Sequence, residues 1–155
     1  MSFRIRGLSP EPFRHLFGLP EAQLDALGVE RHRADVSPGY PDRVQLRDAH
    51  PGESLLLLNY THQPAPTPYR SSHAIFVLEN PGEAYDQIDE VPDSLLRRHI
   101  SLRGFGADGR MIDADLAAGS ELAKTIHTLL RCADIDYLHA HFAKPGCFAA
   151  RIERA

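Results

Sequence analysis

Short apolar segments separated by turn residues dominate the chain from residue 43 onward. Ser54–His62 and Ser72–Glu79 are apolar at consecutive positions instead of alternating ones. Strands of this kind belong in the middle of a sheet that is covered on both faces. Five further segments predict the remaining strands: Arg43–Arg47, His99–Phe105, Arg110–Leu116, Ile135–Phe142 and Cys147–Arg154.

Helices are predicted on either side of this strand-rich region. Ser9–Leu19 and Pro20–Gly28 each carry a proline near the start, which indicates two short helices, the second closed by Gly28. A longer helix is predicted over Ser120–Cys132, with Ser120 as its N-cap. Its apolar residues recur at helical spacing: Leu122, Ile126, Leu129 and Leu130.

The connections between the segments favour antiparallel pairing. Asp108-Gly109 is a hairpin signal, and Asp48–Glu53 has the composition of a tight turn. The sequence therefore predicts an α+β fold with a single domain over residues 1–155. A mostly antiparallel central sheet of about six or seven strands would carry two short N-terminal helices and one longer helix before a C-terminal hairpin.

The C-terminal hairpin alternates in polarity, so its register decides which side chains meet. Pairing Phe142 with Phe148 brings the apolar faces of both arms together and leaves Lys144–Gly146 as a three-residue loop. The polar residues that then share the opposite face are His139, His141, Cys147 and Arg151.

A competing register uses Pro145-Gly146 as a two-residue turn and moves Cys147 to the face of Phe142. A type II turn of this kind splays a hairpin, which favours the first register.

The favoured register indicates a reactive cysteine. Positive charge near a thiol stabilises the thiolate, which is the nucleophilic form. The predicted catalytic residues are Cys147, His141 and His139. Cys147 is expected to react with alkylating reagents faster than Cys132, which lies at the negative end of the long helix dipole. A small buried structural cysteine is the alternative interpretation.

Arginine and tyrosine side chains on or near the strands indicate a site for a small polar or anionic molecule, because a guanidinium binds carboxylate or phosphate through two parallel bonds. The predicted ligand-binding residues are Tyr60, His62, Arg70, Arg103 and Arg151. Arg103 lies opposite the apolar positions of its strand, so a carboxylate partner is expected, with Asp48 or Glu53 preferred.

No cofactor and no metal ion are expected. The nine histidines are dispersed along the chain. His139 and His141 could bind one ion from one face, with His62, His73 or Cys147 as a third ligand from a neighbouring strand. An H-x-H pair alone is a weak signal, however, and no carboxylate lies at a telling distance. The two cysteines lack the spacing of a zinc or redox motif. No glycine-rich phosphate loop, G-x-S-x-G motif or dinucleotide fingerprint occurs.

Composition limits the partners and the compartment. The net charge of −4 is not that of a typical nucleic-acid-binding protein. No apolar run reaches the length of a membrane span. No apolar segment follows the first arginines, so no signal peptide is expected, and the cytoplasm is the expected location.

Four stretches together resemble a bacterial domain-of-unknown-function family, number twelve hundred and three. They are LRDAHPGESLLLLNY, PYRSSHAIFV, SLRGFGADGRMIDAD and GCFAARIERA. The resemblance runs from about Tyr40 to Ala155 and implies a single-domain bacterial protein, without an activity. The family commonly carries Gly-Pro where this chain has His73-Ala74.

The sequence thus favours an uncharacterised protein that binds a small polar or anionic molecule in a pocket lined by Arg, His, Tyr and Cys, with cysteine-based catalysis as an option. The alternative is a non-catalytic protein-interaction module that uses the same face. Whether the protein is an enzyme stays open at this level.

Overall fold

The computed structural model describes all residues from Met1 to Ala155. Nine strands form two sheets. The strands are β1 (Phe3–Arg6), β2 (Glu30–Arg33), β3 (Ser54–Gln63), β4 (Ser71–Leu78), β5 (Asp86–Ile88), β6 (His99–Phe105), β7 (Met111–Ala118), β8 (Tyr137–Phe142) and β9 (Phe148–Arg154).

The helices are short. They comprise α1 (Glu21–Ala26), α2 (Asp93–Leu96) and α3 (Leu122–Leu130), together with two 3-10 helices, Glu11–Leu16 and Gly119–Glu121. None of them combines the length and hydrophobicity that crossing a bilayer requires. The two predicted N-terminal helices are confirmed, although the first is a 3-10 helix, and Gly28 ends the second with a positive φ of 70°.

The large sheet has six strands in the order β5-β1-β9-β8-β6-β7, and every neighbouring pair is antiparallel. The small sheet has the order β2-β3-β4. The predicted α+β class, antiparallel sheet and C-terminal hairpin are therefore confirmed. The two apolar strands β3 and β4 lie in the small sheet instead of in the predicted central sheet. Of the two, only β3 lies in the middle of its sheet, and the central position predicted for β4 is wrong because β4 is an edge strand.

The core lies mainly between the large sheet and α3. Ile126 and Leu122 of the helix are fully buried against Leu102 and Leu138 of the sheet. Burying one such side chain stabilises the fold by about 1.5–3 kcal/mol. The predicted face of α3 is thus correct. Ser120 is not its N-cap, because Ser120 belongs to the preceding 3-10 turn, and no side chain caps the helix.

The predicted strand Arg43–Arg47 is wrong. The buried carboxylate of Asp42 accepts hydrogen bonds from the backbone N–H groups of Val44 and Gln45, at 3.1 and 2.5 Å, and so forms a turn. The same carboxylate accepts the N–H of Leu78 at 2.8 Å, which joins this turn to the end of β4. The segment therefore lies as a fixed loop beside both sheets and presents Arg43 to the interior.

Candidate functional site

A bulge in the β8–β9 hairpin decides which side chains meet. Far from the turn the register is the predicted one, with His139 opposite Arg151. The register shifts between Ala140 and His141, so His141 lies opposite Phe148. One extra residue in one strand turns the following side chains to the other face of the sheet.

The predicted pairing of Phe142 with Phe148 is therefore wrong. Phe142 lies opposite Cys147, whose carbonyl accepts the Phe142 N–H at 2.9 Å. Cys147 belongs to the main core cluster together with Phe142, as the competing register required. Phe148 takes its place beside the histidines, with its ring centroid 5.1 Å from that of His139.

Cys147 forms its closest polar contact with Arg43. The Sγ atom accepts a hydrogen bond of 2.9 Å from a guanidinium nitrogen of Arg43, and the Arg43 Nε donates to the Phe148 carbonyl at 2.7 Å. Both residues are buried: only 2% of the surface of Arg43 and 7% of the surface of Cys147 is exposed to solvent. The Asp42 turn and the hairpin turn thus meet at a thiol–guanidinium contact.

Arg43 forms no ion pair with a carboxylate. Burial lowers its pKa below the usual value, whereas the neighbouring Cys147 sulfur and Asp42 carboxylate act in the opposite direction. A guanidinium keeps its proton in proteins, and a buried positive charge needs a compensating negative group. Cys147 Sγ is the ionisable atom in direct contact with it.

A second arginine, Arg98, also lies against the Phe142 ring. The guanidinium carbons of Arg43 and Arg98 lie 4.9 and 5.0 Å from the Phe142 ring centroid. Asp48 holds Arg98 through bonds of 2.6 and 3.0 Å. Burial alone would raise the pKa of Asp48, but the hydrogen bonds and charge of Arg98 lower it overall. The ion pair with Asp48 therefore fixes the position of the Arg98 guanidinium beside Phe142.

These groups border a pocket of about 560 Å³ between β4, the β8–β9 turn and the junction of α2 with β6. Cys147 and Phe142 lie on its wall, and no carboxylate does. All the ionisable side chains on the wall other than the thiol are basic: Arg43, Arg97, Arg98, Lys144, His73 and His99.

Sequence reasoning missed most of this pocket. The alternation of Arg43 and Arg47 with apolar neighbours is typical of an edge strand, and it does not distinguish the buried arginine from the half-exposed one. Arg97, Arg98 and Lys144 lie in turns, where periodicity carries no information about direction. The competing hairpin register was the one signal that placed Cys147 beside Phe142.

The predicted histidines form a separate buried cluster. The ring centroid of His62 lies 4.8 Å from that of His141 and 6.1 Å from that of His139. His62 also stacks on Phe148 at 5.6 Å. Burial, with a smaller contribution from the positive charge of Arg103, lowers the pKa of His62 to about 4 and the pKa values of His139 and His141 to about 3. All three are neutral at pH 7.

Several ring nitrogens of this cluster have no partner within the protein, namely His62 Nδ1, His139 Nδ1 and His141 Nε2. His141 Nδ1 contacts the Gly146 carbonyl at 3.0 Å, which makes Nδ1 the protonated nitrogen. No group of three or more His, Cys, Asp or Glu side chains is placed to hold a metal ion.

The other predicted residues divide between this cluster and the surface. Arg103 lies opposite His139 in the β6–β8 register, and Arg151 places its guanidinium 3.8 Å from the Tyr137 ring centroid. Tyr60 is half-buried against Phe148, at 5.8 Å between ring centroids. Arg70 is exposed in the β3–β4 loop.

The carboxylate partner predicted for Arg103 does not exist. Asp48 binds Arg98 and Glu53 binds Arg47, while the side chain of Arg103 donates its one hydrogen bond to the Ser101 hydroxyl, at 3.4 Å. The alternation that placed Arg103 opposite the apolar residues is correct, but its face is occupied by imidazole rings instead of carboxylates.

Comparison with known proteins agrees with the resemblance seen in the sequence. No curated protein and no solved structure matches the chain. The family model described as "Protein of unknown function (DUF1203)" matches residues 39–154, which contain both the Asp42–Arg43 turn and the C-terminal hairpin. The chain therefore belongs to the DUF1203 family.

Proposed function

We propose that the protein binds a small carboxylate- or phosphate-bearing molecule in the pocket beside Cys147. The observation that carries this proposal is the charge of the wall, where every charged side chain is basic although the whole chain has a net charge of −4. A pocket lined by one sign of charge concentrates ligands of the opposite sign.

The basic side chains differ in what they can offer to an anion. Arg98 is already paired with Asp48, and Arg43 is bonded to Cys147. Arg97 and Lys144 are exposed, and neither forms an ion pair with a carboxylate. These two supply free donors for the anion, while Phe142 offers an apolar surface to the rest of the molecule.

The ligand class, a small polar or anionic molecule, is the one predicted from the sequence, but the proposed binding site is the basic pocket beside Cys147. Cys147 is the only predicted site residue on the wall of the basic pocket. The histidines predicted to assist it lie on the other face of the hairpin and are buried. Their burial also disfavours an interaction module that would present this face to a protein partner.

Isothermal titration with inorganic phosphate and with acetate, at low ionic strength, tests the proposal. Binding to the parent protein should weaken by about tenfold or more in the double variant Arg97→Ala/Lys144→Ala, because two direct donors are removed. Arg110→Ala removes an exposed arginine outside the pocket and should bind like the parent. Absence of binding to the parent, or equal weakening in both variants, would contradict the proposal.

A further inference from the structure

The contact between Arg43 and Cys147 has a chemical consequence for any molecule bound in the basic pocket. A buried guanidinium without a carboxylate partner stabilises negative charge on the atom to which it donates. That atom is Cys147 Sγ, at 2.9 Å. A thiolate is the nucleophilic form of cysteine.

Cys147 is buried in the fold and still forms part of the pocket wall. A molecule bound there would therefore approach the sulfur from the pocket, while the protein covers the sulfur on its other sides. The basic groups around the pocket would bind the acid group of that molecule and leave its remaining atoms near the sulfur.

We propose that Cys147 is a nucleophile whose substrates are small anions that carry an electrophilic carbon close to their carboxylate or phosphate group. This inference rests on the proposed anion site and names the substrate class for it. In the reaction the Sγ electron pair forms a carbon–sulfur bond as the bond to the leaving group breaks, and the leaving group departs with its electron pair. The thiol proton passes to solvent, and Arg43, which donates a hydrogen bond to Sγ, is a positioning residue.

Iodoacetate and iodoacetamide form a matched pair of probes for this idea. Both transfer a two-carbon group to sulfur and release iodide, but only iodoacetate carries a carboxylate. On an ordinary thiolate the neutral reagent reacts faster, because the two negative charges repel each other. At Cys147 the order should reverse, since the basic wall concentrates the anion.

Cys132 provides the internal control. It is exposed after the end of α3 and does not line the pocket. Labelling of the native protein near neutral pH, followed by peptide mass spectrometry, gives both rates in one sample. The ratio of the iodoacetate rate to the iodoacetamide rate should be higher at Cys147 than at Cys132 by about tenfold or more, the lower end of what a charged cleft provides.

Two further measurements connect the labelling with the pocket. Inorganic phosphate should protect Cys147 and leave Cys132 unaffected. In Arg97→Ala/Lys144→Ala the preference of Cys147 for iodoacetate should fall toward that of Cys132, whereas Arg110→Ala should keep it. Both altered residues of the double variant are exposed, so the fold should persist.

Three experimental outcomes would contradict the nucleophile, its action on the bound anion, or both proposals, and each outcome differs from the others. If phosphate binds to the pocket but neither reagent labels Cys147 before unfolding, the nucleophile is excluded and the anion site stands. If Cys147 is labelled faster by iodoacetamide and phosphate gives no protection although it binds, the nucleophile does not act on the bound anion and the inference is overturned. If phosphate and acetate do not bind and Cys147 shows no preference for iodoacetate, both proposals are wrong.

Discussion

Asp48 binds Arg98 through two hydrogen bonds, of 2.6 and 3.0 Å between the carboxylate oxygens and the guanidinium nitrogens. The carboxylate is almost fully buried, while the arginine keeps part of its surface in solvent. This pair joins the loop before β3 to the start of β6 and holds the arginine that faces Phe142. It is therefore a structural element of the basic pocket.

Asp48→Asn should destabilise the protein by roughly 1–3 kcal/mol, because it leaves a half-buried guanidinium without its charged acceptor. Urea denaturation measures this loss. Glu11→Gln is the matched control, since Glu11 forms an exposed ion pair with Arg14, and it should lower the free energy of unfolding by less than about 1 kcal/mol. Equal effects of the two substitutions would show that the Asp48 pair contributes no more to stability than an exposed ion pair does.

The buried histidine cluster should make the protein less stable in mild acid. The pKa values of His62, His139 and His141 are about 3 to 4 in the folded protein, against 6.5 in the unfolded chain. Below about pH 6.5 the unfolded chain therefore binds more protons, so the free energy of unfolding falls as the pH falls. The carboxyl groups of Glu53 and Glu79, with pKa values of about 2, lose their stabilising effect only at lower pH.

Urea denaturation at several values between about pH 7 and pH 5 isolates the histidine contribution. The slope of the free energy of unfolding against pH should decrease in His139→Gln, whatever the absolute stability of that variant. His15→Gln removes an exposed histidine and should keep the parent slope. A parent protein whose stability does not change across this interval would exclude the three low pKa values.

The α3 face should contribute strongly to the core. Ile126 is fully buried against the large sheet, so Ile126→Ala should lower the free energy of unfolding by about 2–5 kcal/mol through lost burial and an unfilled cavity. Lys124→Ala, on the exposed side of the same helix, should change it by about 0.5 kcal/mol or less. A comparable change in both variants would mean that the buried face of α3 contributes no more to stability than its exposed face.

Periodicity predicted most of the fold, because buried strands and the apolar face of α3 carry their own local signal. Phe3 and Ile5 also alternate with Arg4 and Arg6, so the same periodicity could have predicted β1. Strand β5, with only Asp86–Ile88, is too short and too exposed to produce a pattern. Its pairing with β1 is set by tertiary contacts.

The candidate site was harder to predict because it depends on one bulge and one turn. The register of β8 and β9 was correct from Tyr137 to Ala140, and a single inserted position beyond it moved Cys147 to the opposite face. The side chain of Asp42 converted an apparent strand into the turn that buries Arg43. Neither the bulge nor the Asp42 turn can be seen in the hydrophobic periodicity, because each depends on a single residue and is stabilised by contacts with residues far away in the sequence.

The position of Arg43 depends on Gly7, which packs directly on the backbone of the Asp42–Val44 turn. A Cβ atom at Gly7 would overlap the Val44 carbonyl group, and the neighbouring Leu8 N–H donates to the Arg43 carbonyl at 2.8 Å. The atoms that would have to move are backbone atoms, so a side chain here cannot be accommodated by a rotamer change. Gly7→Ala should therefore displace the turn and its arginine together.

Gly28→Ala is the control for this prediction. Gly28 has a φ of 70° and open space around the Cβ position, so alanine there introduces backbone strain of about 1–2 kcal/mol without a steric overlap. Gly7→Ala should lower the free energy of unfolding more than Gly28→Ala does, and it alone should weaken phosphate binding and slow the alkylation of Cys147 by iodoacetate. Parent-like stability and labelling in Gly7→Ala would show that Arg43 is held by its own bonds to Phe148 and Cys147 rather than by the loop that carries it.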